Sequence, residues 1–168
     1  VLIKKNAMLA LERSNNIVDT SIVTLEDNGS FRLSTRSNSS ASDLIGGLAS
    51  DSPTGAVVNA ASNGGTSVLT VVDNTDRTFA GSFRETSLGK LEVIKKGTGT
   101  WTLSGTSTHT GKTTVDGGGA LMVNGAFCFS PVTVTNNSTL GGSGVISGLV
   151  TCASGKLAPG ASGAAGTL

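Results

Sequence analysis

Tyrosine is absent from the 168 residues, and tryptophan, histidine, cysteine, methionine and proline are scarce, with 1, 1, 2, 2 and 3 copies. Each shortage excludes something. The lone His109 has no cysteine or acid within a few residues to complete a nucleophile or a zinc set, so it reads as a polar residue at a turn. No run approaches the 18 or more apolar residues of a membrane-spanning helix. Charged residues make up only 14% of the chain and the net charge is +1. The basic residues are dispersed apart from Lys4-Lys5 and Lys95-Lys96, which read as solvated strand edges, so neither a nucleic-acid partner nor a membrane-embedded segment is expected. Beyond Asp116 no acidic residue follows, and Lys156 is the sole charged side chain. The opening Val1 to Leu11 is apolar enough to suggest a signal sequence, yet Lys4, Lys5 and Asn6 interrupt it and no small-residue cleavage site follows. Opening on valine, the chain reads as a mature or excised segment.

What is plentiful is glycine, with 24 copies, set among alternating threonines and aliphatics. In the central stretch Gly97 to Gly125, Thr100, Thr102 and Ser104 alternate with Trp101 and Leu103, the period-2 signal of a half-buried strand. Gly105, Gly111 and Gly117 to Gly119 punctuate the runs, and nothing has helical spacing. The pattern recurs downstream. Val115, Val134 and Cys152 are spaced by 19 (134 − 115) and 18 (152 − 134) residues, and Leu121, Leu140 and Leu157 by 19 (140 − 121) and 17 (157 − 140). Backwards, Val93 precedes Val115 by 22 (115 − 93), and Val71 precedes Val93 by 22 (93 − 71). A period of about 20 residues with strands but no helix predicts a β-solenoid, in which each coil buries its apolar face only by stacking on its neighbours. The leucine and asparagine ladder of a leucine-rich repeat is missing.

Lys95-Lys-Gly-Thr-Gly-Thr-Trp-Thr-Leu-Ser-Gly105, Thr110-Gly-Lys-Thr-Thr-Val115, Leu140-Gly-Gly-Ser-Gly144 and Leu157-Ala-Pro-Gly160, in that order, resemble the autotransporter-associated β-strand repeat of secreted passenger domains. Upstream, Val23 to Leu33, Leu44 to Leu48 and Thr78 to Gly81 sit where that family has a strand pair, an apolar connector and a Phe-Ser-Gly strand. The chain departs from the family at His109, where an aromatic is usual, at Trp101, where leucine is frequent, and at Cys152, where valine is found. The resemblance implies an all-β, right-handed parallel β-helix with about 20 residues per coil. It also implies a non-catalytic stalk or scaffold, secreted or on the bacterial cell surface outside the outer membrane, with the translocating barrel elsewhere.

In chain order, Ile17-Val18, Ile22 to Leu25 and Phe31 to Leu33 are predicted strands, with a turn at Asp27-Asn-Gly29. Ser34 to Asp43 and Ala49 to Gly55 are candidate loops leaving the coil, the places for a host or glycan ligand (loops 34–43 and 49–55), while Leu44-Ile45 and Leu48 pack back. Val57-Val58 and Val68 to Val72 are strands around an Asn63-Gly-Gly65 turn, and Phe79 and Phe83 are core candidates. Among the carboxylates, Asp73-Asn-Thr-Asp76 followed by Arg77 is the most suggestive set. Carbohydrate-cleaving β-helices use carboxylates beside a basic residue, but the plainer reading is an exposed turn. Gly97-Thr-Gly99 and Gly141 to Gly144 lack the Lys-Ser/Thr ending of a phosphate loop. Cys152, in the Val134 position, is expected to face inward, and Cys128 is flanked by Phe127 and Phe129; free thiols are favoured unless Ala126 to Pro131 loops back.

With 37% hydrophobic residues, the chain supports one β-helix domain over 1–168, a segment of a longer passenger or an uncapped subunit, with roughly eight coils. At about 4.8 Å per coil that is a rod of about 40 Å. No catalytic, cofactor-binding or metal-binding residue is expected. Rival readings are a self-associating fibre or filament subunit joined by homotypic end-to-end β-stacking, an adhesin module, and a polysaccharide lyase using Asp73 and Asp76.

Overall fold

Strand after strand in this chain is two to seven residues long, most with alternating apolar and polar side chains, too short to bury a face alone; the coil solves this by winding the strands into three stacked faces. In the computed structural model, which describes residues 1–33, 40–59, 64–86 and 88–160, all pairing between strands is parallel and no helix occurs among the described residues. The first face stacks Leu2–Ile3, Ile22–Leu25 and Gly47–Ala49, and passes through a Ser50–Phe79 bridge into Arg77–Phe79, Thr100–Leu103, Ala120–Val123, Thr139–Gly142 and Lys156–Pro159. The second stacks Met8–Leu11, Ser30–Leu33, Ala56–Asn59 and Ser82–Glu85, then Thr106–Ser107, Ala126–Phe127 and Val145–Ile146. The third is one six-stranded sheet of Asp43–Ile45, Thr66–Val72, Lys90–Lys96, Thr113–Val115, Val132–Val134 and Val150–Cys152.

The all-β solenoid is therefore as expected, but its pitch is not uniform. Hydrogen bonds between equivalent positions of successive coils span 22 residues at Lys4–Glu26, 26 at Asn28–Thr54, 24 at Asn74–Thr98, 20 at Asp116–Asn136, 19 at Asn124–Ser143 and 18 at Asn136–Ser154. The result is about six turns of roughly 22 residues, not roughly eight of about 20. The early coils are longer, and residues 1–18 fill only two sides. On the third side the expected Ile17-Val18 strand is missing. Instead the buried Asp43 of the next coil accepts the N–H groups of Asn16 (2.8 Å) and Ile17 (3.3 Å) on Oδ2. Burial raises the pKa of that carboxyl, against the pull of its backbone donors.

Inside, side chains align in columns. Leu9, Phe31, Val57, Phe83, Ser107, Phe127 and Ile146 form one. Trp101, Leu121, Leu140 and Leu157 form another, and Val115, Val134 and Cys152 stack in a third, both in the expected register. Leu44-Ile45 and Leu48 do pack back, with Ile45 and Leu48 fully buried, and Phe79 and Phe83 are core. Two corrections concern the same third face. The upstream partner of Val115 is Lys95, which also pairs with Val71, while Val93 pairs with Leu69 and Thr113. The steps of 24 and 20 residues average to the 22 read from the valine spacing, so the sum was right and each register was off by two.

Lys95 thus points inward and is 1% exposed, not a solvated edge. Its ammonium donates to the carbonyls of Lys96 (3.1 Å) and Gly97 (2.7 Å) at the corner of the coil. Burial pushes its pKa below the ordinary lysine value, against the attraction of Asp73 and Asp76. Cys152 keeps its column but is exposed, because it lies at the end of the described stack, where no further described coil covers it. Ala49 closes a strand and Ser50 is buried, its Oγ donating to Leu25 O (2.8 Å), so this segment turns within the coil instead of leaving it. Residues 34–39 of the other expected loop, Asn63 of the Asn63-Gly-Gly65 turn and the terminal stretch 161–168 lie outside the described residues.

One corner is built on close approach. A Cβ on Gly81, Gly105, Gly125 or Gly144 would fall 2.4, 2.0, 2.1 and 2.0 Å from the carbonyl oxygens of Gly55, Gly81, Gly105 and Gly125 respectively. Each glycine thus sits directly over the backbone of the coil before it.

Candidate functional site

The turn after Thr66–Val72 holds the acid–base set singled out from the sequence. Asp73 is buried, and its Oδ1 accepts from Thr75 N (2.9 Å) and Thr75 Oγ1 (2.7 Å) while its Oδ2 pairs with Arg77 Nε. Asn74 Oδ1 accepts Thr98 N (3.1 Å), and Asp76 Oδ1 accepts Thr100 N (2.7 Å). Asp73, Asn74, Thr75 and Arg77 line a groove of about 510 Å³ that also includes Asp19, Ile22, Leu44 and Val72. Yet both oxygens of Asp73 are taken by donors of its own turn, and Asn74 and Asp76 are bonded to the turn of the next coil. An acid or base catalyst needs a lone pair or proton presented to substrate within hydrogen-bond reach; here Asp73 is held by Thr75 and Arg77 of its own turn, and Asn74 and Asp76 each accept a backbone N–H of the next one.

The same device recurs along the corners. Asn28 N donates to Thr54 Oγ1 (2.9 Å) and Asn28 Nδ2 to Asn6 Oδ1 (3.1 Å). Ser143 N donates to Asn124 Oδ1 (3.1 Å), and Asn136 N to Ser154 Oγ (2.9 Å). Asn28, Asn136 and Asn137 have φ of 54°, 50° and 57°, a left-handed conformation that asparagine tolerates better than other non-glycine residues. Turn asparagines and hydroxyls therefore continue the coil-to-coil bonding where the strand ladders stop.

A second groove of about 560 Å³ lies at the start of the rod, lined by Leu2, Lys5, Glu26, Asp27, Asp51 and Ser52. It is bordered by the 49–55 segment considered for ligand binding. Glu26 accepts Lys5 N (3.0 Å) and pairs with Lys4 Nζ (3.2 Å), and these contacts lower its pKa. A hydrogen bond from Ser52, ahead of the attraction of Lys5, lowers that of Asp27. Among the described residues no group of three or more His, Cys, Asp and Glu side chains converges on a point where a metal ion would sit.

His109 is not at a surface turn: it is fully buried, with its ring 5.6 Å from Phe83 and 5.3 Å from Phe127. The departure noted at this position, a histidine where the resembled family usually has an aromatic, was the signal that could have placed it inside. Cys128 is half-buried and Cys152 exposed, and both thiols are free. Phe127 is core but Phe129 is 61% exposed, so only one of the two aromatics flanking Cys128 faces inward. Sequence reasoning missed Lys95, although its i, i+2 relation to Leu91 and Val93 placed it on their buried face.

The stretch that contributes Trp101 and His109 to the aromatic cluster and Gly105 to the glycine corner also has a counterpart among known families. Residues 93–122 match the passenger-associated-transport-repeat family model. This agrees with the passenger-repeat resemblance read from Lys95 to Val115. The passenger-associated-transport-repeat match runs from the middle of Lys90–Lys96 into Ala120–Val123, one full coil and part of the next, with Trp101, Gly105 and His109 inside it. No curated protein and no solved structure matches the chain.

Proposed function

We propose that this chain is a non-catalytic structural stalk or scaffold of a protein exported to the bacterial cell surface. The passenger repeat and the β-solenoid fit an autotransporter passenger domain, and the repeat family suggests an extracellular or surface location. What supports the scaffold role is the use made of the polar turn residues: Asp73, Asn74 and Asp76 are bonded to their own or the adjacent turn. An antibody raised against the purified chain is expected to label intact cells of the source organism and to lose its target on external proteolysis. Labelling only after lysis would reject the surface assignment. The purified chain is expected to leave acidic polysaccharides uncleaved; turnover that disappears in Asp76→Ala would make it a lyase instead. Glycan-array binding lost on replacing 51–55 with a Gly-Ser linker would make it an adhesin.

A second reading, a subunit that stacks end to end, draws support from the sheet edges. Leu2–Ile3 and Met8–Leu11 at one end and Val150–Cys152 and Lys156–Pro159 at the other are the outermost strands of their sheets among the described residues. Leu2, Met8, Leu149 and Leu157 are exposed there. Unpaired ladder edges invite another chain. Light scattering is expected to give a mass that rises with concentration and falls back in Ala10→Pro; a strict monomer at high concentration would remove this reading.

A further inference from the structure

The buried imidazole of His109 has a defined proton arrangement. Ser130 Oγ has two carbonyls for its one hydrogen, Gly111 O (2.8 Å) and Pro131 O (3.3 Å), so in its contact with Thr113 Oγ1 (2.8 Å) it accepts. Thr113 has then spent its own hydrogen and must accept from His109 Nε2 at 3.1 Å. The neutral tautomer is therefore Nε2–H, leaving Nδ1 as an unprotonated acceptor, and that atom is buried with no hydrogen-bond partner. Adding a proton there creates a charged donor with no hydrogen-bond acceptor, in a buried site walled by the rings of Phe83 and Phe127, which stand at 63° and 86° to the imidazole.

We propose that His109 is an acid-operated latch in the middle of the rod: its protonation breaks the aromatic stack and opens the 107–113 side of its coil, loosening the hold between the coils above and below. Charged neighbours do not rescue the imidazolium. On the strand Ser82–Glu85, Arg84 is exposed and its Nε donates to Ser82 Oγ (2.8 Å). Glu85 is occupied, with Oε1 accepting Leu91 N (2.6 Å) and Gly111 N (3.0 Å) and Oε2 accepting Thr110 Oγ1 (2.9 Å). Lys112, next to Thr113–Val115, is exposed, and Ala126–Phe127 and Val132–Val134 carry no charge. Burial pushes the imidazole pKa down to about 4, against the attraction of Glu85. The folded pKa lies below the ordinary 6.5. The closed state is therefore fully favoured above that value and loses ground as pH falls towards 4, by roughly a hundredfold in the closed-to-open ratio between pH 7 and pH 4.

Hydrogen exchange followed by mass spectrometry, corrected for intrinsic rates, tests this on the full chain and on His109→Phe, which keeps the ring. Peptides covering 104–116 are expected to lose roughly a hundredfold more protection in the wild type between pH 7 and pH 4 than in the variant. Equal losses in both proteins, or none, would overturn the latch. Because the chain has one histidine, its imidazole NMR signal is read without a variant, even should His109→Phe not fold. A midpoint near 4 supports the proposal, and an ordinary midpoint with protection unchanged through it refutes it.

Discussion

Gly105→Val is expected to destabilise the chain by about 3 kcal/mol or more, the upper end for forced overpacking of a well-packed site. The added Cβ would lie 2.0 Å from Gly81 O and 2.5 Å from Ala80 O, both backbone atoms of the preceding coil. Backbone cannot swing aside as a flexible side chain does. Those coils are fixed by Trp101–Leu103 pairing with Arg77–Phe79 on one side and by Ser104 N donating to Phe79 O (3.2 Å) at the corner itself. Relief therefore means prising two coils apart and losing ladder bonds. The neighbouring Thr106 is exposed, and Thr106→Val places the same valine side chain on open surface at nearly no cost. Urea melts of the two variants give the measurement; similar midpoints would mean that the corner does not close as tightly as described.

Phe83→Ala is expected to cost about 3 to 5 kcal/mol, the range for emptying a buried aromatic site. Phe83 is fully buried and lies within ring contact of Phe79 (5.2 Å), Trp101 (5.8 Å) and His109 (5.6 Å). Its removal leaves a void shared by three coils. Collapse into that void is hindered because Trp101 Nε1 is bonded to Leu48 O at 3.1 Å, across 53 residues of chain, which pins the indole from the far side. Since Trp101 is the single tryptophan, its fluorescence reports the same site, and a red shift is expected in the folded variant. Phe129→Ala, removing a ring that is 61% exposed, is expected to leave the melt almost unchanged. Comparable losses from the two phenylalanines would contradict the placement of Phe83 inside the coil and of Phe129 on its surface.

Alternation made most of the fold legible. Thr100–Leu103, Ala120–Val123 and Lys90–Lys96 bury every second residue, and the downstream spacing of Val115, Val134 and Cys152 is the register found. What escaped was anything set by turn length. A strand's partner depends on how many residues the corners consume, and two unequal coils produced the same 44-residue sum as two equal ones, which hid Lys95 behind Val93. The burial of Lys95 rests on two carbonyl acceptors created by the corner itself, and no composition rule anticipates those. His109 was misplaced for a related reason. Its polarity favours a surface turn, but the column of Phe83, Ser107 and Phe127 leaves space beside the small Ser107 that an aromatic-sized ring fills. The Asp73–Asp76 turn was recognised as the place to look, while its hydrogen-bond partners became visible only with the adjacent coil in view.

The stacked ladders also determine how this rod would answer a pull. Its inter-coil hydrogen bonds lie along the long axis, so tension applied at the two ends is carried in series by every interface, and the outermost coil, laddered on one side alone, peels away first. Each peeled coil would release between 18 and 26 residues, about 60 to 90 Å of extended chain. The shortening of the coils towards Val150–Cys152 then grades the extension, with longer releases from the opening half and shorter ones from the other. Buried side chains such as Phe83 and Trp101 that bridge neighbouring coils would set the highest force in that sequence.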